Sequence, residues 1–379
     1  MATGDNRRVG LGSTHRLKIG LFGANCSSGR AVTKLPGRWT GSWAECKRLA
    51  QMADEAGIEF MLPIGRWKGY GGETDYQGAT LETITWATGL VACTQNLVAF
   101  GTVHAPLIHP IVAAKARVTA DQIGEGRFGL NLVVGWNEDE FDMFGVKQRD
   151  HESRYEFGQE WLDVIKRIWS QDESFDFSGS YLSLKGVRAN PKPYGGSRPL
   201  IMNAGSSPTG RAFAIRNCDA FFMQASRVSL EETAQRVQTV KDEAKKDDRE
   251  IDVYTVGVVT CRPTQKEADD YYRHSIIDNA DWSAVDGILA KKNITRDTVS
   301  AEEFAKHRSQ YANGMGGLPL VGDADKVAGQ LADLSRAGLR GIAVSMVNYA
   351  DELPFFRDEV LPRLERLGVR VAAGSTADA

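Results

Sequence analysis

The chain has 379 residues, 42% of them hydrophobic and 25% charged, with a formal net charge of −3. That is the composition of a globular chain of one large or two smaller domains, long enough to bury a sizeable core. The small net charge argues against nucleic acid or anionic membrane as a charge-driven partner. No apolar run approaches the roughly 18 residues that a membrane span requires.

The first residues, MATGDNRRVGLGSTHR, lack the apolar stretch of a signal peptide, and the five cysteines lie far apart with no CxxC pair. Both features predict a cytoplasmic protein without a disulfide framework or zinc knuckle. Along the chain, strand-like runs alternate with helical segments. Strands are expected at 17–23, 59–65, 97–105, 127–135, 199–205, 220–226, 252–261 and 341–348. Helices are expected at 42–55, 78–93, 110–123, 153–170, 207–217, 229–246 and 323–336. Ala56-Gly57 and Ala337-Gly338 read as helix stops just ahead of strands. Eight strands alternating with helices predict an α/β fold, a (β/α)8 TIM barrel with insertions, in preference to a doubly wound sheet. The whole chain, 1–379, reads as a single domain with polar tails at 1–15 and 370–379. Two insertions interrupt the rhythm, one near 172–198 and one near 280–320. The second reads equally as a lid over the barrel mouth or as a surface excursion.

The loops at the strand ends carry the chemistry. After the second strand comes Gly65-Arg-Trp-Lys-Gly-Tyr-Gly-Gly72. Its glycines let backbone approach a ligand, Arg66 and Lys68 bring charge, and Trp67 and Tyr70 bring flat surfaces. On the third strand Thr102 and His104 share a face, since side chains alternate. His104 and His109 are candidate acid/base groups, although a single His near a strand end is more often structural. Gly124-Glu-Gly-Arg-Phe-Gly129 matches GxGxxG, but a helix precedes it and a strand follows it. A dinucleotide fingerprint needs the reverse order, so these glycines predict a tight helix-to-strand turn.

Residues 126–141, GRFGLNLVVGWNEDEF, contain an apolar run broken by Asn131. A buried amide must find partners. Phe128, Leu130, Leu132 and Val134 form one bulky face. Gly129, Asn131, Val133 and Gly135 form another that leaves room for something, with Trp136 and Glu140 gathered beyond the strand end. Arg154-Tyr155 opens a helix and could hold a phosphate or a ring, but spacing alone favours a surface Arg beside a packed Tyr. Asn203-Ala-Gly-Ser-Ser-Pro-Thr-Gly210 leads into another helix, where free N–H groups make either an anion site or an ordinary N-cap. No HxH, HExxH or paired carboxylate at ligand spacing appears, so no metal site is expected.

Together these blocks resemble the bacterial luciferase-like FMNH2-dependent monooxygenases, over about residues 16–368. Within that family the chain looks like the pyrimidine monooxygenase and dimethylsulfone monooxygenase groups. The resemblance rests on GRWKGYGG, GRFGLNLVVGWNEDEF, ESRY opening a helix, MNAGSS after a strand, and LVGDADKVAGQLADLSRAGLRGIAVS, in that order. It implies a two-component enzyme that uses reduced FMN (FMNH2) and O2 to oxygenate and cleave a nitrogen heterocycle or organosulfur compound through a flavin peroxide. A separate NAD(P)H:flavin reductase would supply the FMNH2, and a homo-oligomer, dimer or tetramer, would be expected. Cofactor-binding positions carry over to Gly65, Arg66, Asn131, Glu140, Arg154, Tyr155, Ser206 and Ser207. Thr102 and Asn131 would be catalytic, orienting oxygen, and Trp67, Lys68 and His104 would line the substrate pocket. Residues 25–43 look more like the sulfone group and residues 65–72 more like the pyrimidine group, so the resemblance does not choose the substrate. The alternatives are a deazaflavin-dependent oxidoreductase on the same barrel and a non-catalytic flavin-binding protein.

Overall fold

The computed structural model describes residue 11, residues 13–226 and residues 228–371. Eight parallel strands close into a barrel: β1 (Lys18–Phe22), β2 (Phe60–Leu62), β3 (Val98–His104), β4 (Phe128–Val133), β7 (Leu200–Asn203), β8 (Ala220–Phe222), β9 (Asp252–Cys261) and β11 (Gly341–Ser345). These are the eight strands expected from the sequence, and the connecting helices wrap their outer face. A ninth parallel strand, β10 (Leu318–Gly322), pairs with the carboxyl-terminal half of β9, while β8 takes the start of β9 and β11 its middle. The strand β10 straddles the end of the second expected insertion. The first insertion is an antiparallel hairpin of β5 (Phe175–Ser178) and β6 (Ser183–Val187).

Alternation along the strands divides the core in two. Phe128, Leu130 and Leu132 of β4 point outward into the helical sheath, with Trp161 and Ile165. Phe60, Phe100, Met202, Phe222 and Tyr254 fill the barrel from inside. The Phe60 ring meets Phe100 and Tyr254 edge-on at 6.0 and 5.8 Å, a favourable aromatic geometry. The room expected beside Gly129 is taken by this packing: a Cβ there would sit 2.2 Å from the Phe100 ring. Space opens only nearer the carboxyl end of β4, from Asn131 onward.

The amino-terminal face of the barrel is sealed. Buried Lys18 donates to the carbonyls of Leu11 and Ser13, and Leu11 packs on the inner cluster. Arg370, at the start of the expected polar tail, is buried, and its Nη1 lies 3.0 Å from both carboxylate oxygens of Glu59. Residues 1–10, 12 and 372–379 of the expected tails lie outside the described residues.

Two local expectations are refined. The helix expected from 78 begins at Thr83, where Glu82 caps the N–H groups of Ile84 and Thr85. The GxGxxG segment is the helix-to-strand turn: Gly124 follows the helix Pro110–Ile123, and Gly126 has φ +86°.

Candidate functional site

The register of β3 against β4 places Thr102 beside Asn131. Asn131 Nδ2 donates to Thr102 Oγ1 at 3.1 Å, and that hydroxyl donates to the Pro63 carbonyl at 2.7 Å. The Asn131 Oδ1 atom is buried and meets no partner. A barrel strand supplies a rigid, repeating frame, so both polar groups are fixed at the carboxyl-terminal mouth.

Next to this pair lies a charged cluster. Arg66 Nη1 and the Trp67 backbone N–H both donate to Glu140 Oε1, each at 2.9 Å. Glu140 comes from the short helix Glu138–Met143, which follows β4 directly. The Arg66 guanidinium stacks over Tyr70 at 4.6 Å and faces Trp136 at 5.6 Å. His104 is buried, with Nε2 3.9 Å from the other Glu140 oxygen. Burial pushes its pKa down to about 4 against the opposing pull of Glu140, so the ring is neutral at neutral pH. Gly65 is tight against it: a Cβ there would come within 2.9 Å of the His104 ring and 3.0 Å of the Thr102 methyl. A small cavity of about 50 Å³ sits here, lined by Gly65, Arg66, Thr83, Thr102 and His104 among others.

A second cleft, of about 380 Å³, continues past Trp136 to the start of the helix Pro208–Asn217. Arg154, Tyr155, Ser206 and Ser207 line it together with His151, Asn203 and Lys292. Ser207 caps the helix by accepting from Gly210 N at 3.0 Å. Asn203 holds the turn from both sides, donating to the Leu132 carbonyl and accepting from Gly205 N, each at 2.8 Å. The Tyr155 hydroxyl is wedged against two glycines: a Cβ at Gly205 or Gly210 would sit 2.5 or 2.4 Å from it. Arg154 donates to the Gly135 carbonyl and leaves its buried Nε without a partner. Cationic groups, hydroxyls and a helix N-terminus on one wall are the donor set for a phosphate.

The expected site residues therefore fall into two groups on one mouth. Gly65, Arg66, Thr102, His104, Asn131 and Glu140 form one, and Arg154, Tyr155, Ser206 and Ser207 the other, with Trp136 between. Lys68 is on the rim, exposed, 3.6 Å from Asp139, and the Trp67 side chain is 39% exposed against Phe144. His109 takes no part, since it caps the helix Pro110–Ile123. The second insertion reaches across the mouth: Lys291 pairs with Asp139, Lys292 lies 4.6 Å from the Trp136 ring, and Asp281 accepts from Thr74 N and Oγ1 at 2.8 Å. Gly314 accepts from Arg30 and Gly316 from Gln224. Sequence reasoning missed Arg30, Asn203 and Lys292. For Asn203 the available signal was an amide at the last position of a strand that runs into a glycine-rich turn. Among the described residues no group of His, Cys, Asp and Glu is placed to hold a metal, and no helix is long and apolar enough to cross a membrane.

Residues 17–341 match the profile of a family described as luciferase-like monooxygenase. The chain is 28% identical over 373 residues to an FMNH(2)-dependent dimethylsulfone monooxygenase of Pseudomonas fluorescens (strain Pf0-1), covering 97% of this chain and 99% of that one. It is 27% identical over 358 residues to the pyrimidine monooxygenase RutA of Acinetobacter baylyi, covering 91% and 94%. The fold superposes on the crystal structure of DmoA from Hyphomicrobium sulfonivorans with a TM-score of 0.84 at 17% identity, over 95% of this chain and 90% of that one.

Proposed function

The chain belongs to the luciferase-like monooxygenase family, and on that premise we propose that it is a two-component flavin-dependent monooxygenase. It takes reduced FMN from a separate NAD(P)H-dependent flavin reductase and uses dioxygen to oxygenate a small substrate. The names of its relatives, which act on a sulfone and on pyrimidines, support an organosulfur compound or a nitrogen heterocycle. The observation that carries the reading is the buried Asn131 Oδ1, unpartnered beside Thr102 at an open barrel mouth.

The residues present fit FMN. Arg154, Tyr155, Ser206 and Ser207 would hold its phosphate, and glycine at 205 and 210 keeps the Tyr155 hydroxyl in place there. Gly65, Arg66, Asn131 and Glu140 would hold its ring. Reduced FMN supplies, when bound, the electrons that activate dioxygen. The protein supplies position and electrostatics. The Thr102 proton is committed to the Pro63 carbonyl, so its hydroxyl accepts from Asn131 and fixes that amide's orientation. Asn131 keeps a second N–H to donate to an oxygen gaining negative charge, and its Oδ1 can accept from an N–H of the ring system. Glu140 neutralises Arg66, so the ring face meets no net charge there. Neutral His104 adds hydrogen-bonding capacity without a proton to lose. Val133 and Trp136 give the connecting cleft apolar surface.

The test is turnover under labelled dioxygen with FMN, NADH and a flavin reductase, offering dimethylsulfone and uracil among candidate substrates. One labelled oxygen atom per product molecule is expected. Hydride transfer from a reduced deazaflavin with no oxygenation of any candidate would overturn the reading in favour of a deazaflavin-dependent oxidoreductase.

A further inference from the structure

We propose that the substrate of this site is an anion carrying a carboxylate or sulfonate, received by Arg30 and Tyr70 on the β1 side of the barrel mouth; this rests on the oxygenase reading above. Arg30 follows β1, and its guanidinium lies 4.6 Å over the Phe22 ring. Phe22 packs on the inner barrel cluster, so what lies above its ring faces the mouth. Arg30 is only 8% exposed, and among the described residues no carboxylate is paired with it. Its Nη2 donates to the Gly314 carbonyl, while its buried Nε meets no partner. Arg66 and Arg370, also buried, are each compensated by a glutamate. A desolvated cation without a counter-charge is unfavourable until an anion arrives to pair with it.

Tyr70 gives the second, independent pointer. Its side chain is buried, and with Arg66 as its polar neighbour, a group that can only donate, the phenol's own proton meets no acceptor among the described residues. Burial pushes the phenol up to about 12, so it remains a donor at any physiological pH. Its ring stacks on Tyr76 at 6.0 Å, and the Tyr76 hydroxyl donates to the Arg30 backbone carbonyl at 3.0 Å. Its other neighbour is Arg66, the residue that reaches Glu140 and the proposed flavin ring site. Two unsatisfied donors, one charged and one neutral, thus stand at the mouth beside the residues assigned to the ring. They suit an oxyanion with at least two acceptor oxygens.

The experiment is calorimetric titration of the FMN-loaded protein with matched anionic and neutral probes, methanesulfonate against dimethylsulfone and orotate against uracil. FMN affinity is measured alongside. A hydrogen bond to a charged group carries on the order of tenfold or more in affinity, so each anion should bind at least about tenfold tighter than its neutral partner. Arg30→Gln keeps an amide for the Gly314 carbonyl and should erase that preference. Arg30→Lys should retain part of it, and Tyr70→Phe should weaken the anions severalfold. FMN affinity should stay within about twofold in all three. Equal or tighter binding of the neutral probes, no binding of either anion, or a preference that survives Arg30→Gln overturns the proposal while leaving the oxygenase reading standing. Failure of the wild-type protein to bind FMN overturns the oxygenase reading instead, and the same probes on the unloaded protein then decide the anion site.

Discussion

Asn131 is held through Thr102, and Thr102 through the Pro63 carbonyl, so the two side chains act as one unit. Asn131→Ala removes the donor but leaves the ring site's backbone and Arg66 in place. Product formation should fall on the order of a hundredfold, as for loss of one preorganised donor, while FMN affinity falls less than tenfold. Product yield per NADH and a flavin titration check this, and full coupling in the variant would remove Asn131 from the mechanism. His104 makes a prediction about pH. Its folded pKa of about 4 lies below the ordinary 6.5, so the unfolded chain takes up a proton that the folded site refuses. This contribution is complete above pH 6.5 and is lost as pH falls toward 4, about 3 kcal/mol in all. His104→Asn should flatten the acid limb of a stability curve over that window, and an unchanged limb would show that other groups set it. That Thr102 and Asn131 each need a partner was legible because a polar residue inside an apolar strand demands one, and the family resemblance joined the two. Arg30 was not, since nothing in CSSGRAV tells that its guanidinium ends over a phenyl ring without a counter-ion.

The helix Pro110–Ile123 carries a conflict of its own. Arg117 is fully buried, 5.4 Å from the Trp161 ring, and none of its three guanidinium nitrogens meets a hydrogen-bond partner. Burial pushes its pKa down to about 9. Replacement of a buried charge by an apolar side chain of similar length is often stabilising, so Arg117→Met should add about 2 kcal/mol. Thermal unfolding should shift upward by a few degrees, and a drop would show that the charge has a partner in solution. Element reading from the sequence succeeded where periodicity was long. It missed β10, whose few residues, LPLVG, carry a proline and too short an alternation to register. It also started one helix five residues early, because nothing in GATLE, residues 78–82, marks Glu82 as the N-cap. The lid-or-excursion choice for the second insertion was open in sequence because its contacts, at Asp139, Thr74, Arg30 and Gln224, are all distant along the chain.

Across the whole molecule the two faces of the barrel divide the labour. The carboxyl-terminal mouth holds the unpartnered Asn131 Oδ1 and Arg30 Nε, while the amino-terminal face is closed by the compensated pair of Glu59 and Arg370. Burial alone would raise the Glu59 carboxyl, but the His15 hydrogen bond and the Arg370 charge outweigh it and hold it below the usual range. Arg370→Ala would strand that carboxylate and should cost about 3–5 kcal/mol, measured by denaturant unfolding, with the FMN site untouched in the folded fraction. A loss below 1 kcal/mol would show that water replaces the guanidinium. The barrel itself was legible from the count and spacing of strands, while this closure was not, since Glu59 and Arg370 stand at opposite ends of the sequence.

That closure has a consequence for engineering. The backbone N–H groups of Arg16 and Leu17 both donate to the Val369 carbonyl, which brings the two described ends together on the sealed side. A reductase joined genetically beyond Val371 would leave from the face opposite the mouth. Such a chimera would raise the local supply of reduced flavin without handing it over directly. It should turn over faster at low enzyme concentration while converting the same fraction of NADH into product as the separate proteins.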